Sequence, residues 1–323
     1  MHNKITRRVF CSMLLALPFS ARAQAGKIFR IGFLDASTAS GSAVLVDAFR
    51  QELSKLGWIE GKNITIEYRF AEGKPERAPE LVADLLRIKV DLIVATGGPQ
   101  ALAAKKATTT IPIVMTNAGD PVGFGLVVSL ARPGGNVTGF SGLSPDLSTK
   151  RLEILKDAVP NLSRVGLLLT PASRQLKELR PAAAALKLKL EEIETQFDAK
   201  GLESAFKTAK QKQVGAIMPI STSSFFAERK RIVELAVKYR LPAIYPQKEF
   251  VDEGGLMSYG ADYEDLYRKA AQYVDRILKG TKPADLPVQQ AMRFEFIINL
   301  PAAKKISITL PYELLARANQ VIR

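Results

Sequence analysis

The stretch DLIVATGGPQALAAKKA, residues 91–107, decides how this chain is read. A short apolar run ends at two glycines and a proline, and an alanine-rich helical segment follows. Strand, tight turn and helix in that order form part of a βαβ unit, the building block of a parallel sheet covered on both faces. The turn through Gly97-Gly98 also points the free backbone N–H groups of the helix start at whatever lies in front of it. Its spacing is not that of a nucleotide site. TGGPQA lacks G-x-G-x-x-G, and no G-x-x-x-x-G-K-[ST] occurs in the chain. Gly123-Phe124-Gly125 is a G-x-G, but Val128 stands at the third glycine position. What remains is a helix N-terminus suited to one small anion such as a carboxylate, or an ordinary turn that binds nothing.

The same alternation extends in both directions. IFRIGFLDA (28–36), NITIEYRFA (63–71), VDLIVATG (90–97), IPIVMTNAGDP (111–121) and NVTGFSG (136–142) read as strands. Helices are expected over Ser42–Leu56, from Pro75, after Gly97-Gly98, and briefly over Gly123–Ala131. The pattern then restarts with a helix over Ser148–Val159 and strands RVGLLLTP (164–171), KLEEIETQ (189–196), VGAIMPIS (214–221) and LPAIYPQ (241–247). Pro181 is expected to start the helix after the first of these, with Ser173–Arg180 irregular. GLMSYGADY (255–263), a helix over Glu264–Lys279, RFEFIINL (293–300) and a helix from Pro311 complete the chain. Continuous apolar strands between helices predict an α/β protein of two doubly wound, parallel-sheet, Rossmann-like lobes.

The first 25 residues read as a leader. Lys4, Arg7 and Arg8 precede a short apolar run, Val9–Phe19, and Ala21-Arg22-Ala23 and Ala23-Gln24-Ala25 are cleavage candidates. The run is too short to span a bilayer. Thr6-Arg7-Arg8-Val9-Phe10 also resembles a twin-arginine start, although Cys11 and Ser12 depart from that pattern. The expected product is a soluble periplasmic protein, cleaved near Ala23 or Ala25 and not embedded in a membrane.

Without that leader, the chemistry available contracts. His2 is the only histidine and Cys11 the only cysteine, so the processed chain has no imidazole, thiol nucleophile, disulfide or Cys/His metal site. No cofactor and no metal are expected. Removing the four basic residues of the leader takes the net charge from +14 to +10. The lysines and arginines are dispersed along helices with no aromatic-interleaved basic run, which describes a solvated basic surface and no nucleic-acid partner.

Ligands of open parallel sheets lie beyond the carboxyl ends of the strands. Those ends hold Asp35, Ser37 and Thr38; Thr96, Gly97, Gly98 and Gln100; Thr116, Asn117 and Asp120. In the second half they hold Thr170, Ser173, Ser221, Thr222, Ser223, Ser224, Tyr245 and Gln247. Hydroxyls and amides dominate, with two carboxylates and no base that titrates near neutrality. Such a set binds a polar small molecule well and performs chemistry poorly.

RIGFLDAS, LIVATGGPQALAAKKATTTIPIVM, NAGDPVGFGLVVSLARPGGNVTG, LPAIYPQKEFVDEGGLMSYGADY, YVDRILKGTKPADLPV and FEFIINLPAAKKI resemble the substrate-binding proteins of ABC transporters, tryptophan/tyrosine type. The resemblance covers nearly all of the chain after the leader. It implies the periplasmic-binding-protein type I fold, with two lobes joined by a three-stranded hinge that close on a ligand, and delivery to an ABC permease. Residues 26–143 and 256–282 are assigned to the N-terminal lobe, 144–255 and 283–323 to the C-terminal lobe. For an amino acid or aromatic acid, the carboxylate is expected on the N–H groups of Gly97, Gly98 and Gln100, where a side chain at Gly98 would obstruct it. Asp120 or Asp262 is expected to pair with an amino group, unless each is only a helix cap. Ser221, Ser223 and Tyr245 are expected to close from the second lobe, and Asp35, Ser37, Thr96, Asn117 and Ser173 to complete the site. The stretch SRQLKELRP (173–181) departs from the family pattern, which leaves the ligand open.

Three other readings compete. A binding protein feeding a sensor instead of a permease has the same sequence features. A DNA-binding regulator needs a helix-turn-helix ahead of residue 28, where the leader stands. A carboxylate enzyme would use Asp35 and Asp120, and turnover of a ligand would reveal it. The leader assignment is checked by intact mass: the protein should appear in the periplasmic fraction beginning at Gln24 or Gly26, and retention of Met1 would overturn it. Replacing Arg7 and Arg8 by Lys should block export only on the twin-arginine route.

Overall fold

A computed structural model describes residues 27–170, 176–196 and 198–323 of the chain, so the leader and Ser173 lie outside the described residues. The first lobe is built from β1 (Phe29–Asp35), α1 (Ala39–Lys55), β2 (Ile64–Phe70), α2 (Ala78–Arg87), β3 (Leu92–Ala95), α3 (Gly98–Ala107), β4 (Ile113–Ala118) and β5 (Val137–Ser141). The second contains α4 (Ser144–Ala158), β6 (Arg164–Leu169), α5 (Leu176–Ala185), β7 (Lys189–Glu194), α6 (Ala199–Gln211), β8 (Ala216–Pro219), α7 (Ser223–Ala227), α8 (Arg229–Lys238), β9 (Ile244–Tyr245), α9 (Glu249–Asp252) and β10 (Met257–Ala261). The chain ends with α10 (Tyr263–Leu278), β11 (Gln289–Gln290), β12 (Phe294–Asn299), α11 (Leu300–Lys305), α12 (Tyr312–Arg317) and β13 (Gln320–Ile322).

The first sheet has the order β11-β5-β4-β3-β1-β2 and is parallel throughout. Its apolar runs are continuous because each face meets helices. Along β3, Ile93 and Ala95 enter a cluster with Leu81, Leu85 and Ala101 of α2 and α3. Leu92 and Val94 face the opposite way, into a cluster with Leu45 and Phe49 of α1 and Ala270 and Val274 of α10. Period-two alternation thus supplies both layers from one uninterrupted run. Helix α1 starts at Ala39, earlier than Ser42, because the Thr38 hydroxyl accepts from Gly41 N at 2.9 Å and caps it.

The second sheet has β7-β6-β8 in parallel, a bridge from Ile217 to Ala243 beside β9, and then β9-β10-β12-β13. Here β12 is antiparallel to β10, against the all-parallel expectation. The cause is chain direction: β10 leaves this lobe for α10, whereas β12 enters it from β11. The chain crosses between lobes at Gly142–Leu143, at Asp262 and at residues 291–293, and hydrogen bonds tie the crossings together. Asp262 N donates to Arg293 O at 3.0 Å and Ala291 N to Ser141 O at 2.9 Å. Beneath them, buried Arg151 of α4 donates to Tyr259 O at 3.0 Å and to Ser148 Oγ at 2.7 Å, and burial lowers its pKa to about 10.

Pairing places some residues differently from the expected lobe boundaries. Met257–Ala261 pair with β9 and β12 of the second sheet, and Gln289–Gln290 pair with β5 of the first. Two expected local structures also differ. Gly123–Ala131 form no helix: a tight turn from Asp120 ends at Gly125, whose φ of +66° is left-handed. Helix α5 begins at Leu176 and runs through Pro181, its loss of one backbone bond offset by burial of Leu179 and Ala183 on one face.

The β4–β5 contact depends on one glycine. Gly139 has φ +129°, and a Cβ there would stand 2.2 Å from Met115 O. Gly139→Ala should therefore destabilise the chain by ~3 kcal/mol. A circular-dichroism melt should show a midpoint lowered by roughly 6–12 °C, and an unchanged midpoint would contradict this close approach.

Candidate functional site

The carboxyl ends of both sheets face one inter-lobe cleft of about 1380 Å³. From the first lobe, Asp35, Gly97, Gly98, Gln100, Asn117 and Asp120 line it, and from the second Ser221 and Ser223. Eight of the thirteen residues given a binding role in the sequence are thereby brought together, and Thr170, Thr222, Ser224 and Gln247 of the strand ends join them. Ser37 and Thr96 are buried just behind the wall.

Asp35 ends β1 and is 2% exposed. Its Oδ1 accepts from Ser37 N at 2.8 Å and its Oδ2 from Ser42 Oγ at 2.7 Å. Burial raises its pKa, and the hydrogen bonds from Ser37, Ser42 and Thr96 only partly oppose this. Among the described residues no lysine or arginine offsets the charge. A buried carboxylate without a cation is costly, so a cationic group placed beside Asp35 would be bound strongly.

The start of α3 is narrower as an anion site than its sequence implies. Gly97 N already donates to Asn117 Oδ1 at 3.0 Å, and Asn117 Oδ1 also accepts from Thr116 Oγ1 at 2.8 Å. Pro99 has no N–H. The N–H groups of Gly98 and Gln100 remain in the first turn, where the helix supplies no acceptor. Gln100 adds a third donor, for the residue is 2% exposed and Nε2 has no hydrogen-bond partner among the described residues. A Cβ at Gly98 would meet the Phe124 ring at 2.9 Å, whereas one at Gly97 would lie 3.7 Å from Ser223 Oγ across the cleft.

Three candidates are placed otherwise. Tyr245 is 1% exposed, its ring stacked on Phe250 at 4.8 Å, and it does not line the cleft. Strand β9 ends at Tyr245, and Gln247, two residues beyond it, reaches the wall instead. Asp262 accepts from Asp265 N at 2.8 Å as the cap of α10 and also lies off the wall. Asp120 lines the cleft but is exposed, with Oδ1 accepting from Gly123 N at 2.9 Å to cap its turn. Asp262 thus caps a helix and Asp120 caps a turn.

The aromatic wall was missed in sequence. Phe124, Phe226, Tyr263 and Tyr267 all line the cleft, and Tyr263 OH lies 3.1 Å from Ser221 Oγ. Tyr263 and Tyr267 are four apart at the start of α10, one helical face directly after a strand end, which was a usable signal. Phe124 and Phe226 had none, since loop and short-helix aromatics are ordinarily core. Burial, then the nearby Asp35 charge, raise the Tyr267 pKa well above 10.0 and keep its phenol neutral.

Two doubly wound lobes, three crossings and a polar cleft at the strand ends define a type I solute-binding protein. The chain belongs to the family described as ABC transporter substrate binding protein, which matches residues 39–322. It is 31% identical over 264 residues to a tyrosine-binding protein of Clostridioides difficile, covering 80% of this chain and 75% of that protein. A conserved domain protein from Vibrio cholerae superposes with a TM-score of 0.84 at 29% identity, over 91% of this chain and 100% of the other. An ABC domain from Streptococcus pneumonia in complex with L-Trp superposes at 0.81 and 26% identity, over 91% and 99%. The family is one of substrate-binding proteins and not of enzymes.

Near the cleft, burial raises Glu249 to a pKa of about 7, with Lys248 lowering it and Asp252 and Glu264 raising it. The folded chain therefore holds this proton more tightly than the unfolded one, and stability present below pH ~4.5 is lost as pH rises through about 7. Glu249→Gln should flatten the melting midpoint across that window. An identical pH slope in the variant would show that other groups carry it.

Proposed function

We propose that this chain is the exported solute-binding component of an ABC importer and that its ligand is an aromatic α-amino acid. One observation carries the reading: an uncompensated buried acid and a cluster of unfilled N–H donors face the same cleft, with aromatic rings beside them. A zwitterion with a flat side chain complements that arrangement. In this reading Asp35 takes the ammonium group, the role expected of Asp120 or Asp262. The amides of Gly98 and Gln100, with Gln100 Nε2, take the carboxylate, helped by the positive end of α3. Phe124, Phe226, Tyr263 and Tyr267 offer faces and edges to the ring.

The mechanism is hinge closure. A ligand held by both lobes binds the closed form better than the open one, and this differential affinity drives closure over the crossings. Nothing in the cleft performs a reaction, and release to permease subunits would follow from reopening. That relatives include a tyrosine-binding protein and an L-Trp complex supports the ligand class. The leader supports export to the periplasm.

Thermal-shift and calorimetric titration with L-tryptophan and L-tyrosine test the assignment. Ligand at 100 times its dissociation constant should stabilise the chain by ~2.7 kcal/mol. The corresponding amide and the decarboxylated amine should each bind far more weakly. Asp35→Asn should weaken binding by roughly 10- to 100-fold, while raising the melting midpoint of the free protein by removing a buried charge. If the amine lacking a carboxylate binds as tightly as the amino acid, the α3 amides hold no anion. If Asp35→Asn binds normally, Asp35 is not the ammonium partner.

A further inference from the structure

Away from the cleft wall and from the Lys248–Glu264 pair beside the crossings, the side chain of Arg229 joins the two lobes. Arg229, the first residue of α8 in the second lobe, donates from Nη1 to Gly41 O of α1 at 2.9 Å. Its other contacts lie within its own lobe. Nη1 is also 3.2 Å from Phe226 O, Nε is 3.4 Å from Glu253 Oε1, and the guanidinium sits 4.8 Å from the Phe226 ring centre. The side chain is 15% exposed and does not line the cleft. Three anchors on one side hold a planar fork so that it reaches a single carbonyl on the other.

The receiving surface is shaped for the contact. Residue 41 is a glycine, and a Cβ there would stand 2.5 Å from Ser37 Oγ and 2.9 Å from Thr38 Oγ1 of its own lobe, and 3.3 Å from Ala227 Cα of the opposite lobe. The helices α1 and α7 thus approach closely at this glycine. The next residue, Ser42, donates to Asp35 Oδ2. The same turn of α1 therefore meets the second lobe at Gly41 and the cleft acid at Ser42. On the other side, Phe226 both lines the cleft and carries the Arg229 guanidinium.

We propose that Arg229 is a positioning residue for ligand binding: it latches the second lobe onto α1 through Gly41 and sets affinity without touching the ligand. The inference rests on the hinge-closing reading above, but its contact is made by protein atoms alone. A charge-assisted bond between lobes favours the closed form and so raises the fraction competent to hold ligand. Release must break it, so the latch acts mainly on the dissociation rate.

The test uses the full chain with Cys11→Ser, and spin labels at Lys106→Cys and Lys200→Cys, exposed sites on opposite lobes. Pulsed dipolar distances are measured first without ligand. The protein retaining Arg229 should show a short-distance population, and Arg229→Gln should lose it. An unchanged distribution in Arg229→Gln overturns the latch, because a residue serving only its own lobe would not move inter-lobe distance. L-tryptophan and L-tyrosine are then titrated. Arg229→Gln should bind roughly tenfold more weakly through faster release, and equal affinity with equal release overturns the proposal. If neither amino acid binds either protein while the distances still shift, the latch stands and the ligand assignment falls. Should Arg229→Gln fail to fold, Glu253→Gln decides: it loosens the guanidinium in its own lobe, and an unchanged ligand-free distribution there overturns the latch.

Discussion

A parallel strand covered on both faces has no place for polar side chains along its length. Every residue between its ends meets a helix, and each unpaired polar atom there costs on the order of 1–3 kcal/mol. Polar groups are therefore displaced to the strand ends. Right-handed crossovers put the carboxyl ends of all parallel strands on one edge. In this chain the carboxyl ends of two such sheets face each other, so their collected hydroxyls, amides and one buried acid converge on a single cleft. The three crossings, hydrogen-bonded side by side, let those edges approach as two bodies.

Within that cleft the local energetics run against stability. Among the described residues, Asp35 is held by Ser37 N and Ser42 Oγ without a cation, and Gln100 Nε2 is buried without a partner. Groups left in this condition usually have a functional reason, because a fold selected for stability alone would pair or remove them. Their cost is what an arriving zwitterion would relieve. Glu249 belongs to the same region, and burial holds its proton on to about pH 7.

The first turn of α1 connects these features. Thr38 caps the helix, Ser42 holds the acid, and Gly41 meets Arg229. Three neighbouring residues thus serve helix initiation, charge placement and lobe contact. A change in any of them acts on binding through more than one route, and their effects are not expected to add.

Much of this was legible in the chain itself. Continuous apolar runs alternating with helical segments determined a doubly wound α/β protein, because burial on both faces leaves that signature locally. Strand ends named twelve cleft residues, since the rule that ligands sit there needs only strand order. His2 and Cys11 are the only histidine and cysteine and both fall in the expected leader, a reading that would remove most catalytic templates. What the sequence did not carry is whatever depends on direction or on distant partners. Tyr245 and Gln247 are both polar and near one strand end, yet the Tyr245 ring stacks on Phe250 in the core, and only Gln247, beyond the end of β9, reaches the cleft. Gly97 and Gly98 look alike until Asn117 occupies one amide and Phe124 packs on the other. The antiparallel β12, and the pairing of Met257–Ala261 with the second sheet, follow from how often the chain crosses between lobes. The bond from Arg229 to Gly41 spans 188 positions in sequence. Periodicity and composition are local and survive in the sequence; the choice of partner across a cleft is made only when the lobes meet.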